Sequence, residues 1–97
     1  MLFSRKYSKD KRIRLKGKAL AKLNSDIYER DGGVCVICGR FVMPGTKFHH
    51  EPCGAIKSDE IEKGVVMCND CHYERHHGKK LQLYKNKINK YLEGLHG

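Results

Sequence analysis

Two Cys-x2-Cys pairs, Cys35/Cys38 and Cys68/Cys71, stand 29 residues apart in the chain. No other feature restricts the fold so strongly. A two-residue spacer turns the backbone tightly enough to aim two sulfurs at one point, about 2.3 Å from a zinc ion. Two such pairs complete a tetrahedron with no open position, so the site they predict is structural. The chain needs such a staple. It has 97 residues, which fits one domain, and a chain of that length buries only roughly 60–65% of its unfolded surface. Met1-Leu2-Phe3 is too short for the apolar part of a secretory signal, and no apolar run is long enough to span a bilayer. The thiols are therefore expected to meet a reducing cytoplasm, where paired cysteines hold metal more often than they form disulfides. Cys53, the fifth cysteine, has no partner spacing and reads as a small buried residue.

The charge is uneven. The chain carries 20 Lys+Arg against 11 Asp+Glu, a net +9 with histidine neutral. The first thirty residues hold ten basic and three acidic groups, and the remaining 67 hold ten and eight. Four thiolates and one Zn²⁺ sum to −2, which brings a zinc-loaded domain nearer about +7. A polyanion is the natural partner, nucleic acid first and a membrane surface second. Residues 1–15 read as a basic arm and 16–97 as the domain proper. Arg5, Lys6, Arg12 and Arg14 in the arm, with Lys79 and Lys80, are the candidate contacts to a phosphate backbone.

Periodicity gives an α+β chain. Leu20, Leu23, Ile27 and Tyr28 make one apolar stripe, predicting a helix from about Lys16 that Asp31-Gly32-Gly33 ends. Arg40–Met43 reads as a short strand and Thr46–Glu51 as a second. Pro52–Ser58 reads as a loop. Glu60–Met67 is rich in β-formers and is expected to pair with Thr46–Glu51. Asn69 or Asp70 is a candidate cap for a helix over 70–77 that stops at Gly78. Residues 79–95 predict a final amphipathic helix. Its stripe holds Leu81, Tyr84, Ile88, Tyr91, Leu92 and Leu95, and Lys85, Lys87 and Lys90 face outward. That stripe serves either the core or a homodimer.

Six histidines remain, five of them at His49-His50 and His72…His76-His77. Neighbours on a strand point to opposite faces, so His49 and His50 are expected to differ in role. His72 and His76 are four apart on a helix, share one face and can grip one metal ion together. His77 lies about 100° from His76 and faces elsewhere. Taken alone, a helical histidine pair is commonly a surface feature. Here it begins one residue after a zinc cysteine and shares a short chain with a second pair. The layout suits phosphodiester hydrolysis. One imidazole takes a proton from water, a divalent ion stabilises charge on the phosphate, and basic side chains hold the backbone.

The stretch from Ile27 to Gly78 resembles the HNH endonucleases, a ββα-metal (His-Me finger) fold. The resemblance rests on Tyr28-Glu29-Arg30-Asp31-Gly32-Gly33-Val34-Cys35, Cys38-Gly39, His49-His50-Glu51-Pro52, Glu60 to Cys68, Cys71-His72 and His76-His77-Gly78. It is strongest to the small zinc-ribbon HNH proteins of phages and prophages, which would place the chain in a host cell's cytoplasm. The resemblance implies a ββα-metal core with a four-cysteine zinc ribbon, flanked by N- and C-terminal helices. It implies His50 as the general base that activates water. It implies His49, His72 and His76 as ligands of a catalytic divalent metal, with His72 the final histidine of the motif. The family's central Asn stands nine residues before that histidine, and this chain has Lys63 there. The Asn braces the loop between the strands. A Lys accepts no hydrogen bond and cannot fully replace it; contact with phosphate is its alternative role. The candidate ions are Mn²⁺, Ni²⁺, Zn²⁺ and Mg²⁺, and imidazole suits Zn²⁺, Ni²⁺ and similar ions better than Mg²⁺.

Three readings follow. The first is a metal-dependent DNA endonuclease that nicks or cuts with little sequence preference, since no separate base-reading module is present. The second is a non-catalytic zinc-ribbon nucleic-acid binder, favoured by Lys63 and opposed by the His49-His50 pair. The third is a ribonuclease or structure-selective nuclease on the same fold. No aromatic-rich strand surface for stacking single-stranded bases is evident in support of it.

Overall fold

A computed structural model of the chain describes residues 12–96. Helix α1 spans Gly17–Arg30 and lays its stripe inward, with Ile27 fully buried and Leu20, Leu23 and Tyr28 packed beside it. Asp31 ends the helix, and Gly32 and Gly33 follow with φ of 73° and 71°, a conformation open to glycine. The Asp31 carboxylate then ties distant parts together. It accepts from Arg30, from the Val66 N–H at 2.9 Å and from the Tyr91 hydroxyl.

The strands are much shorter than the sequence predicts. Strand β1 is His49–His50 and strand β2 is Gly64–Val65, antiparallel, with His49 opposite Val65 and His50 opposite Gly64. The expected pairing partner is therefore right and the expected length is not. Asn24 of α1 explains one end. Its side-chain amide donates to the Thr46 carbonyl at 3.0 Å and accepts from the Phe48 N–H at 2.8 Å, taking backbone groups that a longer strand would have paired. At the other end Ile61–Lys63 winds into a single 3-10 turn. Arg40–Met43 forms no strand. An isolated bridge, Val34 to Phe41, and two flanking backbone bonds, Cys35 N–H to the Arg40 carbonyl at 2.8 Å and Val42 N–H to the Gly33 carbonyl at 2.9 Å, stand in its place. The loop after β1 carries a second 3-10 turn at Gly54–Ile56.

Helix α2 is Asn69–His77 and helix α3 is Leu81–His96. Cys68, rather than Asn69 or Asp70, caps α2, its sulfur accepting from the Cys71 N–H. Helix α3 buries Ile88 and Leu92 against the core and half-buries Tyr84 and Tyr91. Leu81 and Leu95, expected in the same stripe, stay exposed. Lys85, Lys87 and Lys90 face out as expected. Phe48, Val65, Val66, Met67 and Ile27 form the centre, with the cysteines packed at its edge. Gly64 lets these layers close. A β-carbon there would lie 2.5 Å from the Phe48 ring and 2.8 Å from Ile27. Among the described residues no helix is long and apolar enough to cross a membrane.

Candidate metal centres

The four paired cysteines converge. Cys35 and Cys38 come from the turn after α1, and Cys68 and Cys71 from the start of α2. All four sulfurs lie within 4.8 Å of one another. The Cys38 and Cys68 sulfurs are 3.7 Å apart, which is the edge, about 3.8 Å, of a tetrahedron with 2.3 Å arms. Backbone N–H groups of Ile37 and Cys71 point at the Cys35 and Cys68 sulfurs at 3.4 and 3.5 Å. A backbone bond from Arg40 draws the Cys38 thiol down to about 7. Burial and the crowded neighbouring sulfurs push Cys71 up. Thiolates packed this closely repel one another, and a bound cation relieves them. The donor set and spacing fit a structural zinc ion.

A second cluster forms from His49 on β1 with His72 and His76 on α2. One ring nitrogen from each lies within 4.8 Å of the others. The His72 and His76 Nε2 atoms are 3.0 Å apart. Two nitrogens bound to one ion at about 2.1 Å stand roughly 3.0–3.4 Å apart, so this spacing fits a shared ligand. The three rings meet edge-on, with centroids 4.7 to 5.2 Å apart. Burial drives the His72 pKa down to about 4, aided by His49 and His76, and burial also lowers His76. Both rings are therefore neutral at pH 7 and offer lone pairs.

Behind His49 lies a buried ion pair that the sequence did not reveal. The His49 Nε2 donates to Glu51 Oε1 at 2.9 Å, which leaves Nδ1 with the lone pair. Arg75 grips both oxygens of Glu51, through Nε at 3.0 Å and Nη2 at 2.8 Å. Burial opposes the charge on Glu51, but His49 and Arg75 outweigh it and hold its carboxyl below the usual range. A carboxylate behind a ligating histidine fixes the ring's tautomer and raises its basicity. One signal was present in the sequence: strand period two puts Glu51 on the face of His49.

His50 points the other way along β1 but borders the same cleft. Its Nε2 donates to Asp59 Oδ1 at 2.7 Å, so Nδ1 is the basic nitrogen. Burial lowers the His50 pKa against the pull of Asp59, and Lys57 and Lys47 add to the lowering. Burial opposes ionisation of Asp59 too, yet His50, the Leu15 N–H and Arg14 hold its carboxyl low. The cleft has a volume of about 270 Å³. Its walls include His49, His50, His72, His76, Lys47, Lys57 and Cys53.

No family model, no curated protein and no solved structure matches this chain.

Of the remaining candidates among the described residues, only Cys53 borders the cleft. Lys63 ends the 3-10 turn and its Nζ donates to Glu60 at 2.9 Å. Arg12 reaches the Ala55 carbonyl at 2.6 Å, and Arg14, Lys79 and Lys80 are exposed. Arg5 and Lys6 lie outside the described residues. Cys53 is half-buried, its sulfur 3.8 Å from Arg75 Nη2. A neutral, oriented imidazole, a three-nitrogen ligand set and two lysines in one cleft can together accept a proton, hold a divalent ion and bind an anion.

Proposed function

We propose that the chain is a metal-dependent DNA endonuclease that hydrolyses phosphodiester bonds, with His50 as general base. The observation that carries this reading is the shared cleft: His50, fixed by Asp59, borders the same space as the three-histidine cluster and the two lysines. The order β1, β2, α2, with ligands on the first strand and the helix, supports a ββα-metal finger. Attack requires water to lose a proton as its oxygen bonds phosphorus and the P–O bond to the leaving oxygen breaks. His50 Nδ1 takes that proton. A divalent ion held by His49, His72 and His76 would supply charge stabilisation on the phosphate. Lys47 and Lys57 hold the anionic backbone beside it. The Asn-type bracing that Lys63 lacks in its side chain has a backbone substitute: its carbonyl accepts from the Glu51 N–H at 3.0 Å.

The test is nicking of supercoiled plasmid by the zinc-loaded protein with Mn²⁺, Ni²⁺, Mg²⁺ or added Zn²⁺, beside His50→Ala. Metal-dependent nicking by the wild type is expected, with a loss of roughly 10²–10⁴-fold in the variant. Plasmid binding without nicking by either protein would favour the second reading, a zinc-ribbon nucleic-acid binder. The Lys63–Glu60 ion pair at the position of the family's Asn is the observation that keeps that reading alive.

A further inference from the structure

Segment 12–15 precedes α1 and is far in sequence from the cleft, yet it is tied to the loop behind it. Arg12 Nη1 donates to the Ala55 carbonyl. The Ile13 N–H donates to Ser58 Oγ at 2.7 Å, and the Ile13 carbonyl accepts from the Asp59 N–H at 2.8 Å. The Leu15 N–H donates to Asp59 Oδ2 at 2.8 Å. The other oxygen of the same carboxylate holds His50 Nε2. Ser58 and Asp59 are both buried, so the bonds to Ile13 and Leu15 are partly shielded from bulk water, whereas the Arg12 bond is exposed.

A carboxylate's terminal torsion is broad and nearly two-fold, and one hydrogen bond leaves it free to rock. Separate bonds to each of the two oxygens remove that freedom. A ring held by such a carboxylate keeps one tautomer and one orientation. We propose that segment 12–15 is a positioning strap: by fixing Asp59 it holds the His50 ring with Nδ1 toward the cleft. Leu15 and Asp59 are then positioning residues that act through His50. The kinetic part rests on His50 being the general base; the structural part does not.

The experiment uses the full zinc-loaded chain with ¹⁵N-labelled histidine and three variants. Leu15→Pro deletes the N–H donor ahead of α1 and also fixes φ at that position. Leu15→Ala keeps it. Ser58→Ala loosens the strap more gently by removing the acceptor for Ile13, should Leu15→Pro fail to fold. Ring-nitrogen spectra are expected to show His50 as a single Nε2–H tautomer in the wild type and Leu15→Ala. Leu15→Pro and Ser58→Ala should show mixed tautomers and a faster-exchanging ring proton. In plasmid nicking, kcat should fall about tenfold or more in Leu15→Pro with KM within about twofold, because misalignment acts on the chemical step. His50 ring signals unchanged in the folded variants would overturn the proposal. Altered ring signals in a protein whose wild type does not nick would keep the strap and overturn the nuclease reading.

Discussion

Glu51 accepts one hydrogen bond from His49 and two from Arg75, so a buried anion is fully partnered. Removing one member of such a set leaves a charge in the interior, which costs more than the pair itself contributes. Burial lowers the pKa of three other histidines of the cleft, His50, His72 and His76, and that sets a pH dependence. His72, lowered to about 4, stays unprotonated well below the ordinary value of 6.5. His50 and His76 are lowered in the same direction. The acid limb of nicking is therefore expected to have its midpoint below 6.5. A pH–rate profile centred at or above 6.5 would contradict the ligand and base assignments. The sign for folding is consistent. As pH falls from 6.5 toward 4 the unfolded chain takes up the His72 proton and the folded chain does not, so this group lowers stability across that window. The histidines themselves could be singled out from spacing. Arg75 and Asp59 could not. Charged residues read as solvated faces until the fold brings a partner from 24 residues away, as Glu51 is to Arg75, or from 44 residues away, as Leu15 is to Asp59.

At the scale of elements, the helices follow their apolar stripes, and the strands do not follow theirs. A stripe is a local property, whereas a strand's length depends on who meets its backbone. Asn24 meets the backbone around Thr46 and Phe48, and only two residues on each strand pair. That brevity makes the histidine strand dependent on packing. Phe48 sits directly before His49 and presses on Gly64 from the paired strand. Gly64→Ala would place a methyl within 2.5 Å of that ring. Overpacking of this kind costs about 1–3 kcal/mol. The expected result is a lower denaturation midpoint together with weaker metal binding at the histidine cluster, read by chemical denaturation and by titration with Ni²⁺. Unchanged stability would mean that the Phe48 ring moves aside freely.

The whole molecule has a small core. Among the described residues eleven buried hydrophobic residues form it, and three of them are cysteines of the four-cysteine cluster. The cysteine cluster joins the turn after α1 to the head of α2, two regions some thirty residues apart in the chain. A structural zinc ion in a domain this size contributes on the order of 10 kcal/mol of apparent folding free energy. Stripping it with a strong chelator is expected to abolish the helical circular dichroism signal, and returning zinc is expected to restore it. A spectrum unchanged after complete removal would show that the core stands without the metal. The four-cysteine cluster and the His72/His76 pair were foreshadowed by spacing, because ligand geometry imposes short, fixed intervals on a chain, whereas His49 as their third partner came only from the resemblance. The common mounting of the two clusters was not foreshadowed, since no interval in the sequence states which element two sites will share.

That mounting is α2. Cys71 and His72 are consecutive, and His76 stands one turn further along the same rod. The helix therefore acts as a ruler between the two clusters. One residue inserted after Cys71 would swing both histidines about 100° around the axis and carry them away from His49. Deleting one would swing them equally far the other way. Substitution can reshape this segment, but its length cannot drift: any lengthening or trimming of the chain that keeps both clusters assembled must fall outside Cys68–His76.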